Sequence, residues 1–213
     1  MGRENKNQAV ASLHREQILR CTEALFLEKG YAQTSMEDIS QAAGYSRRTI
    51  YAYYPSKSDI LQGIVERGLQ TLLADLQQVL SAEETFSARC FEMLNAMGRY
   101  LKCCPLSAAA VHTAAPLSAA QCSSAAAQQI FSLGEQLQTL LIQFLTEGQR
   151  LKQIKAEVIP ALTVPILWSG VSGLYQLLES RGEYLASQRN TSTSTLWEYG
   201  CRQLLGSVLI HLP

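Results

Sequence analysis

The sequence predicts an all-α protein of about nine helices. Three observations carry this. Leu, Ala, Gln and Glu, all good helix formers, are abundant. Apolar residues recur at spacings of three and four in block after block, while strand-like alternation is scarce. The six prolines fall mostly between those blocks rather than inside them.

The elements follow in chain order. Residues 1 to about 11 read as a polar, frayed arm, and the first helix as Ser12 to Lys29. Ile18, Leu19, Thr22, Leu25 and Phe26 share one face of it, and Gly30 supplies a left-handed stop. Thr34 or Ser35 caps the second helix, with Glu37 or Asp38 completing a capping box, Met36, Ile39 and Ala43 facing inward, and Gly44 ending it. Ser46 caps the third helix, which must stop at Tyr54 because Pro55 disfavours helical geometry there. Ser56 with Asp59 caps a long fourth helix whose stripe from Ile60 to Leu80 runs to about Ser81. Such a helix, shared between an N-terminal unit and the rest, can act as a lever. Five more are placed near 85–102, 106–114, 118–147, 160–181 and 193–211, with breaks at Pro105, Pro116, Gly148, Pro160 and Gly182. Pro165 lies in the first turns of its helix, where a missing N–H is tolerated. The small residues from Ser118 to Ala127 suit close helix packing. The domain boundary falls after residue 56: 1–56 forms a three-helix unit and 57–213 a helical bundle.

Composition narrows the function. Apolar residues make up 47% and charged residues 17% of 213, which is globular rather than disordered. The formal net charge is zero, so bulk electrostatics cannot hold nucleic acid; any such contact must rest on a few placed cations, neutral donors and helix N-termini. No apolar leader follows Met1, and no uninterrupted apolar run of membrane length occurs, so a cytoplasmic protein without a membrane partner is expected. The six cysteines show no CxxC spacing and are expected to be free thiols. Cys103-Cys104 with His112 lacks a second metal-ligating pair, and His14 and His211 stand alone, so neither a metal nor a cofactor is expected. No Ser/His/Asp order, phosphate loop or HExxH motif appears, and the chain does not read as an enzyme.

The run from Thr34 to Lys57 carries the function. Two short helices joined by a Gly-containing turn make a helix-turn-helix, whose second helix enters the major groove of duplex DNA. That helix opens with Ser46, Arg47, Arg48 and Thr49. Arginine can grip guanine O6 and N7 with two hydrogen bonds, and a threonine methyl can touch thymine. Tyr51, with Tyr53 or Tyr54, offers hydroxyls for phosphate. Lys57, Thr34 and Ser35 stand at helix N-termini, where free N–H groups favour phosphate.

These residues together resemble the tetracycline-repressor (TetR) family of bacterial transcription regulators. The likeness runs over about residues 13 to 62. It rests on Ile18, Leu25, Phe26, Gly30-Tyr31, Thr34-Ser35-Met36, Asp38-Ile39, Ala42-Ala43-Gly44, Thr49-Ile50-Tyr51-Ala52-Tyr53-Tyr54, Ser56-Lys57 and Leu61. The resemblance implies phosphate contacts from Thr34, Ser35, Tyr51, Tyr53 and Lys57, and base or near-base contacts from Tyr45, Arg47, Arg48 and Thr49. Tyr53 and Tyr45 depart from residues common in the family, and Pro55 sits at a tolerant position.

The resemblance further implies a homodimer on an inverted-repeat operator, a C-terminal ligand-binding and dimerisation domain, and repression relieved by a small-molecule inducer. Dimerisation would use the helices near 160–181 and 193–211. Ile166, Leu167, Val171, Leu174, Tyr175 and Leu178 would line one, and Leu196, Leu204, Leu205, Val208 and Leu209 the other, with Gly170 and Gly173 allowing close approach. Tyr100, Met93, Met97, Phe131, Phe144 and Trp168 are either cavity lining or ordinary core, so no ligand residue is singled out. The alternative is a helical ligand-binding or thiol-dependent protein, using Cys103 or Cys104, that does not bind DNA.

Overall fold

A computed structural model describes residues 2–114, 122 and 124–211, with side chains from residue 8 onward except 112–114. Among these residues lie nine helices: α1 (Gly2–Lys29), α2 (Met36–Ala43), α3 (Arg47–Tyr53), α4 (Lys57–Leu80), α5 (Phe86–Cys103), α6 (Pro105–Ala114), α7 (Ala125–Arg150), α8 (Pro160–Gln188) and α9 (Thr193–Gly206).

Four boundaries differ from those the sequence suggests. Helix α1 begins at Gly2, so the expected N-terminal arm is helical; residues 3 to 11 contain no proline or glycine to stop it. Helix α8 runs through Gly182 to Gln188, because Gly182 is a packing site: a Cβ there would lie 2.9 Å from the Thr193 methyl. Helix α9 ends at Gly206, and Leu209 pairs with Ile154 in an isolated antiparallel bridge. Helix α7 is described from Ala125; the earlier start at Ser118, the break at Pro116 and most of the small-residue stretch lie outside the described residues.

The chain packs as two compact units, one of residues 1–69 and 106–131, the other of residues 70–105 and 132–213. The division falls within α4 and returns the segment from Leu106 to the first unit, so packing does not follow the boundary at 56/57.

The first unit is built around Ile18, Leu19, Phe26, Ile39, Ala43, Ile50, Ile60 and Ile64. These come from α1, α2, α3 and α4: three helices send two or more apolar residues to one centre, and α3 sends Ile50 alone. Ser107 donates its hydroxyl to the Val65 carbonyl at 3.1 Å and pins the returning segment to α4. Arg67 of α4 bridges two carboxylates of α1, Glu16 at 3.0 Å and Glu23 more closely.

Short-range chemistry shapes the ends of α2 and α4. Gly30 and Gly44 hold φ of +84° and +70°, the left-handed region where a side chain is strained. Ser35 caps α2: its hydroxyl accepts from the Asp38 N–H at 3.2 Å, and Asp38 accepts from the Ser35 N–H at 2.8 Å. The Ser35 hydroxyl, which also donates to Asp38 Oδ2 at 2.6 Å, the Ser35 N–H and the Lys29 ammonium at 2.9 Å hold the Asp38 carboxyl well below the usual carboxylate range. Lys57 donates to the carbonyls of Tyr31 (2.6 Å) and Thr34 (2.8 Å), with Ala32 at 3.4 Å, and its ammonium lies 4.4 Å from the centre of the Tyr31 ring.

In the second unit α5 packs on α8 and α9, and α8 packs on α9, while side chains of α5 reach α7 and the last turn of α4. Leu76, Met93, Leu94, Met97, Tyr100, Leu145, Leu167, Val171 and Leu205 are buried. Phe86 stacks on Phe144 with ring centres 4.6 Å apart, and Trp197 donates to Asn95 at 2.8 Å. Helices α8 and α9 interlock. A Cβ on Gly170 would meet Leu204 at 2.6 Å, and one on Gly200 would meet Leu174 at 2.5 Å. The segment after α9 is held by Lys155 N–H to Val208 carbonyl at 3.0 Å, Ile210 N–H to Gln153 carbonyl at 3.0 Å, and Lys155 Nζ to Gly206 carbonyl at 2.7 Å.

Two expectations from the first unit's chemistry can be measured. Asp38 has a lowered folded pKa, so its stabilisation is whole above about pH 4 and is lost as acid protonates it. The melting-temperature gap between the protein and its Asp38→Asn variant should therefore narrow as pH falls from neutrality through about 3; a constant gap refutes the assignment. Lys57→Met should lower unfolding free energy by about 1 kcal/mol, because it strips the donor from the partly buried Thr34 carbonyl and from the exposed Tyr31 carbonyl. Denaturant titration checks this, and an unchanged midpoint would mean that the ammonium contributes nothing to the turn.

Candidate nucleic-acid interface

The short α3 is placed by its ends and by one anchor. Gly44 closes α2, and the Ser40 hydroxyl donates to the Tyr45 carbonyl at 2.6 Å, fixing the turn. Ser46 caps α3, its hydroxyl accepting from the Thr49 N–H at 3.2 Å. Tyr54 ends the helix in extended geometry before Pro55. Ile50 is the only fully buried residue of α3.

Opposite that anchor, Arg47, Arg48, Tyr51 and Ala52 are exposed. Positions 48, 51 and 52 lie on one helical face, so a guanidinium and a phenol project together from α3. Arg47 forms an ion pair with Glu37 of α2, and both side chains stay largely exposed. Nothing in the described residues pairs with the Arg48 guanidinium, and it is the cation of this face with the fewest prior commitments.

The other residues singled out from sequence divide in two. Ser46 and Ser35 are exposed caps whose hydroxyls sit at helix N-termini. Thr49 is half-buried, 2.8 Å from the Ser46 hydroxyl. Thr34 is 2% exposed and donates to the Gly30 carbonyl at 2.9 Å, so it braces the turn after α1 and its side chain does not face outward. Lys57 spends its ammonium on the same turn. Tyr45 and Tyr53 are half-buried against the first unit's core. The Tyr45 hydroxyl donates to Gln17 Oε1 at 3.1 Å, and the Tyr53 hydroxyl lies 3.0 Å from His14 Nδ1. The structure therefore presents Ser35, Ser46, Arg47, Arg48 and Tyr51 outward, and uses Thr34, Tyr45, Tyr53 and Lys57 as supports.

Three neighbours of this face are not among the site residues singled out from sequence: His14, Gln17 and Glu37. Glu37 reads as a capping residue from its distance to Thr34, and His14 as a lone histidine. The signal that places His14 and Gln17 beside α3 is their i, i+3 spacing next to buried Ile18, which puts both at the edge of the α1 core stripe.

The second unit offers a cleft of about 790 Å³ lined by Asp75, Gln78, Arg89, Glu92, Arg99 and Arg202 among others. Met93, Met97, Tyr100 and Phe144 are buried core residues, and Trp168 is half-buried beside Tyr100. Burial pushes the Cys90 and Cys201 thiols up to about 12, so these two are protonated at neutral pH. Cys103 is exposed and Cys104 half-buried.

Comparison with known proteins matches this geometry. Residues 18–64 match the family model of bacterial regulatory proteins of the tetR family. A stretch of 62 residues is 39% identical to the transcriptional repressor BepR of Brucella suis, covering 29% of this chain and 30% of that protein. The match to curated relatives thus spans about 30% of their length. A TetR/AcrR-family regulator from Thermobifida fusca superposes with a TM-score of 0.69 at 23% identity, covering 90% of this chain and 96% of that one. SmeT, solved as a complex with triclosan, superposes with a TM-score of 0.67 at 19% identity over 92% of each chain. These two similarities establish the fold over about nine-tenths of the chain, and the family model covers residues 18–64 of its N-terminal helices. Residues 18–64 thus carry the helix-turn-helix sequence of the tetR family of bacterial regulatory proteins, and the chain shares its helical fold with the two superposed proteins.

Proposed function

We propose that the chain is a cytoplasmic transcriptional repressor that binds an inverted-repeat duplex as a homodimer and is released by a small-molecule ligand. The observation that carries DNA reading is the outer face of α3, where Arg47, Arg48 and Tyr51 stand exposed over a helix anchored by Ile50. Arg48 is assigned to a base edge and Tyr51, Ser35 and Ser46 to phosphates, the division of labour that a groove-bound helix requires. Arg47 joins them once its pair with Glu37 opens; the cost is small because the pair is exposed. Thr34, Tyr53 and Lys57 hold the frame on which these residues stand.

Self-association is supported by α8. Leu162, Ile166, Gly173, Leu177 and Tyr184 follow one another at intervals of four and seven residues, a single stripe, and all are exposed. Ile166 is 66% exposed, and nothing lies within 4 Å of a Cβ built on Gly173. By length and composition α8 could also span a membrane. A stripe of this kind on a helix whose other side is packed on α9 fits a second copy of the chain. Leu167, Val171, Leu205, Val208 and Leu209, which the sequence offers for the partner, instead pack within their own unit. The dimer face assigned to the chain is therefore the outer stripe of α8, with Tyr199 of α9.

Ligand response follows from reciprocal coupling: a molecule that favours a conformation unable to place two α3 helices on one duplex lowers DNA affinity, and DNA lowers its affinity in turn. The SmeT complex shows one fold relative holding a small molecule.

Selection from a random duplex library, followed by footprinting, tests the reading. The selected site should be an inverted repeat with half-sites about 34–36 Å apart or a multiple of that spacing. A single asymmetric half-site would overturn the dimeric reading, and no enrichment would overturn DNA binding. Arg48→Ala should weaken the selected duplex by about 1–3 kcal/mol and leave random duplex unchanged; equal loss on both would assign Arg48 to phosphate. Ile166→Asp should convert the protein to a monomer in sedimentation while leaving its melting curve cooperative, and an unchanged sedimentation coefficient would remove α8 from the interface.

A further inference from the structure

We propose that His14 and Gln17 of α1 are positioning residues for DNA reading, setting the orientation of α3 by holding a tyrosine at each of its ends. The proposal rests on the DNA-binding reading above. It begins from a mechanical point. Helix α3 has seven residues, so it is only about 10 Å long, and Ile50 is its one fully buried side chain. One anchor fixes where a short helix sits but leaves it free to roll and tilt about that point. Two further contacts, one toward each end, are needed to define its pose.

The contacts from α1 meet that need. Tyr45 stands immediately before the Ser46 cap. Its hydroxyl donates to Gln17 Oε1 at 3.1 Å, and its ring centre lies 4.9 Å from that of His14. Gln17 is itself held, its amide nitrogen donating to the Ala43 carbonyl at 3.0 Å. Tyr53 is the last residue of α3. Its hydroxyl is hydrogen-bonded to His14 Nδ1 at 3.0 Å, its ring meets the His14 ring edge-on, and the Arg15 guanidinium lies 5.6 Å from its centre. His14 thus touches both tyrosines. The angular position of Arg48 and Tyr51 is then set by three points: Ile50 beneath, Tyr45 before and Tyr53 after. The Tyr53 hydroxyl, committed to His14, works inside the reading unit.

A base-edge hydrogen bond depends steeply on angle, whereas a phosphate contact tolerates a few degrees of roll. Loosening the clamp should therefore cost selected-site binding more than general DNA binding. His14→Phe keeps a ring of similar area and removes the bond to Tyr53; Tyr53→Phe removes the same bond from the other side. In the full-length protein, each should weaken binding to the library-selected duplex about three- to tenfold, the worth of one hydrogen bond. Random duplex should be unaffected, and the double variant should lose no more than either single one. His14→Asn, whose amide nitrogen falls near the place of Nδ1, should restore most of the selectivity. Equal losses on both duplexes, additive losses in the double variant, or no loss at all would overturn the proposal.

A DNA-free readout separates this from the function itself. Amide exchange across Thr49 to Tyr54 should accelerate in His14→Phe while exchange in α4 stays fixed, and unchanged α3 exchange overturns the clamp whatever the protein binds. Failure of the unaltered protein to enrich any duplex overturns the DNA-binding reading instead.

Discussion

The burial of Ile50 is the contact on which the reading end depends. A helix of seven residues has almost no stability of its own, since forming its first turn orders several residues for one hydrogen bond. Helix α3 exists because Ile50 enters a core already assembled from Ile18, Ile39, Ile60 and Ile64. Once it is seated, the opposite face must point outward, and the residues on that face are Arg48, Tyr51 and Ala52. Burial of one isoleucine thus dictates the exposure of an arginine. The caps at Ser35, Ser46 and Ser56 decide where each helix starts, and the core decides which way it faces.

The neutral net charge of the chain has a local counterpart at this face. Glu37 neutralises Arg47, and Asp38 neutralises Lys29. Lys57 is turned into backbone carbonyls. The reading end therefore presents few uncommitted cations, and its discrimination rests on placement more than on field strength. That is why geometry around α3, including the contacts made by α1, matters more here than it would in a strongly basic protein.

The legibility of the sequence tracked the range of the interaction. The capped start at Ser46, the stop at Gly44 and the end before Pro55 are local, written within three or four residues, and each appears where the sequence puts it; the second helix starts at Ser35, one of the two caps the sequence leaves open. Arg47, Arg48 and Tyr51, offered from sequence as DNA contacts, are exposed. What could not be read required partners distant in the chain. Thr34 looks like a cap, yet it is buried under a turn whose carbonyls are held by Lys57, 23 residues on. Tyr53 looks like a phosphate contact until His14 arrives from 39 residues away. In α8 the apolar residues are abundant enough to supply both an inner and an outer face, and only packing shows that Val171 went in and Ile166 stayed out. Gly182, a natural stopping signal, became a notch for Thr193.

The paired notches of α8 and α9 carry a mechanical consequence. Leu204 is seated at Gly170 and Leu174 at Gly200, each helix lodging a leucine in the other's gap. Sliding one helix along the other by part of a turn would drive both leucines toward backbone, and one turn away the places of Gly170 and Gly200 are taken by Ile166, Leu174, Leu196 and Leu204, so displacement along the pair is resisted. The two helices must travel together. Whatever strain reaches either of them is passed on whole, as through a welded joint and not a bearing.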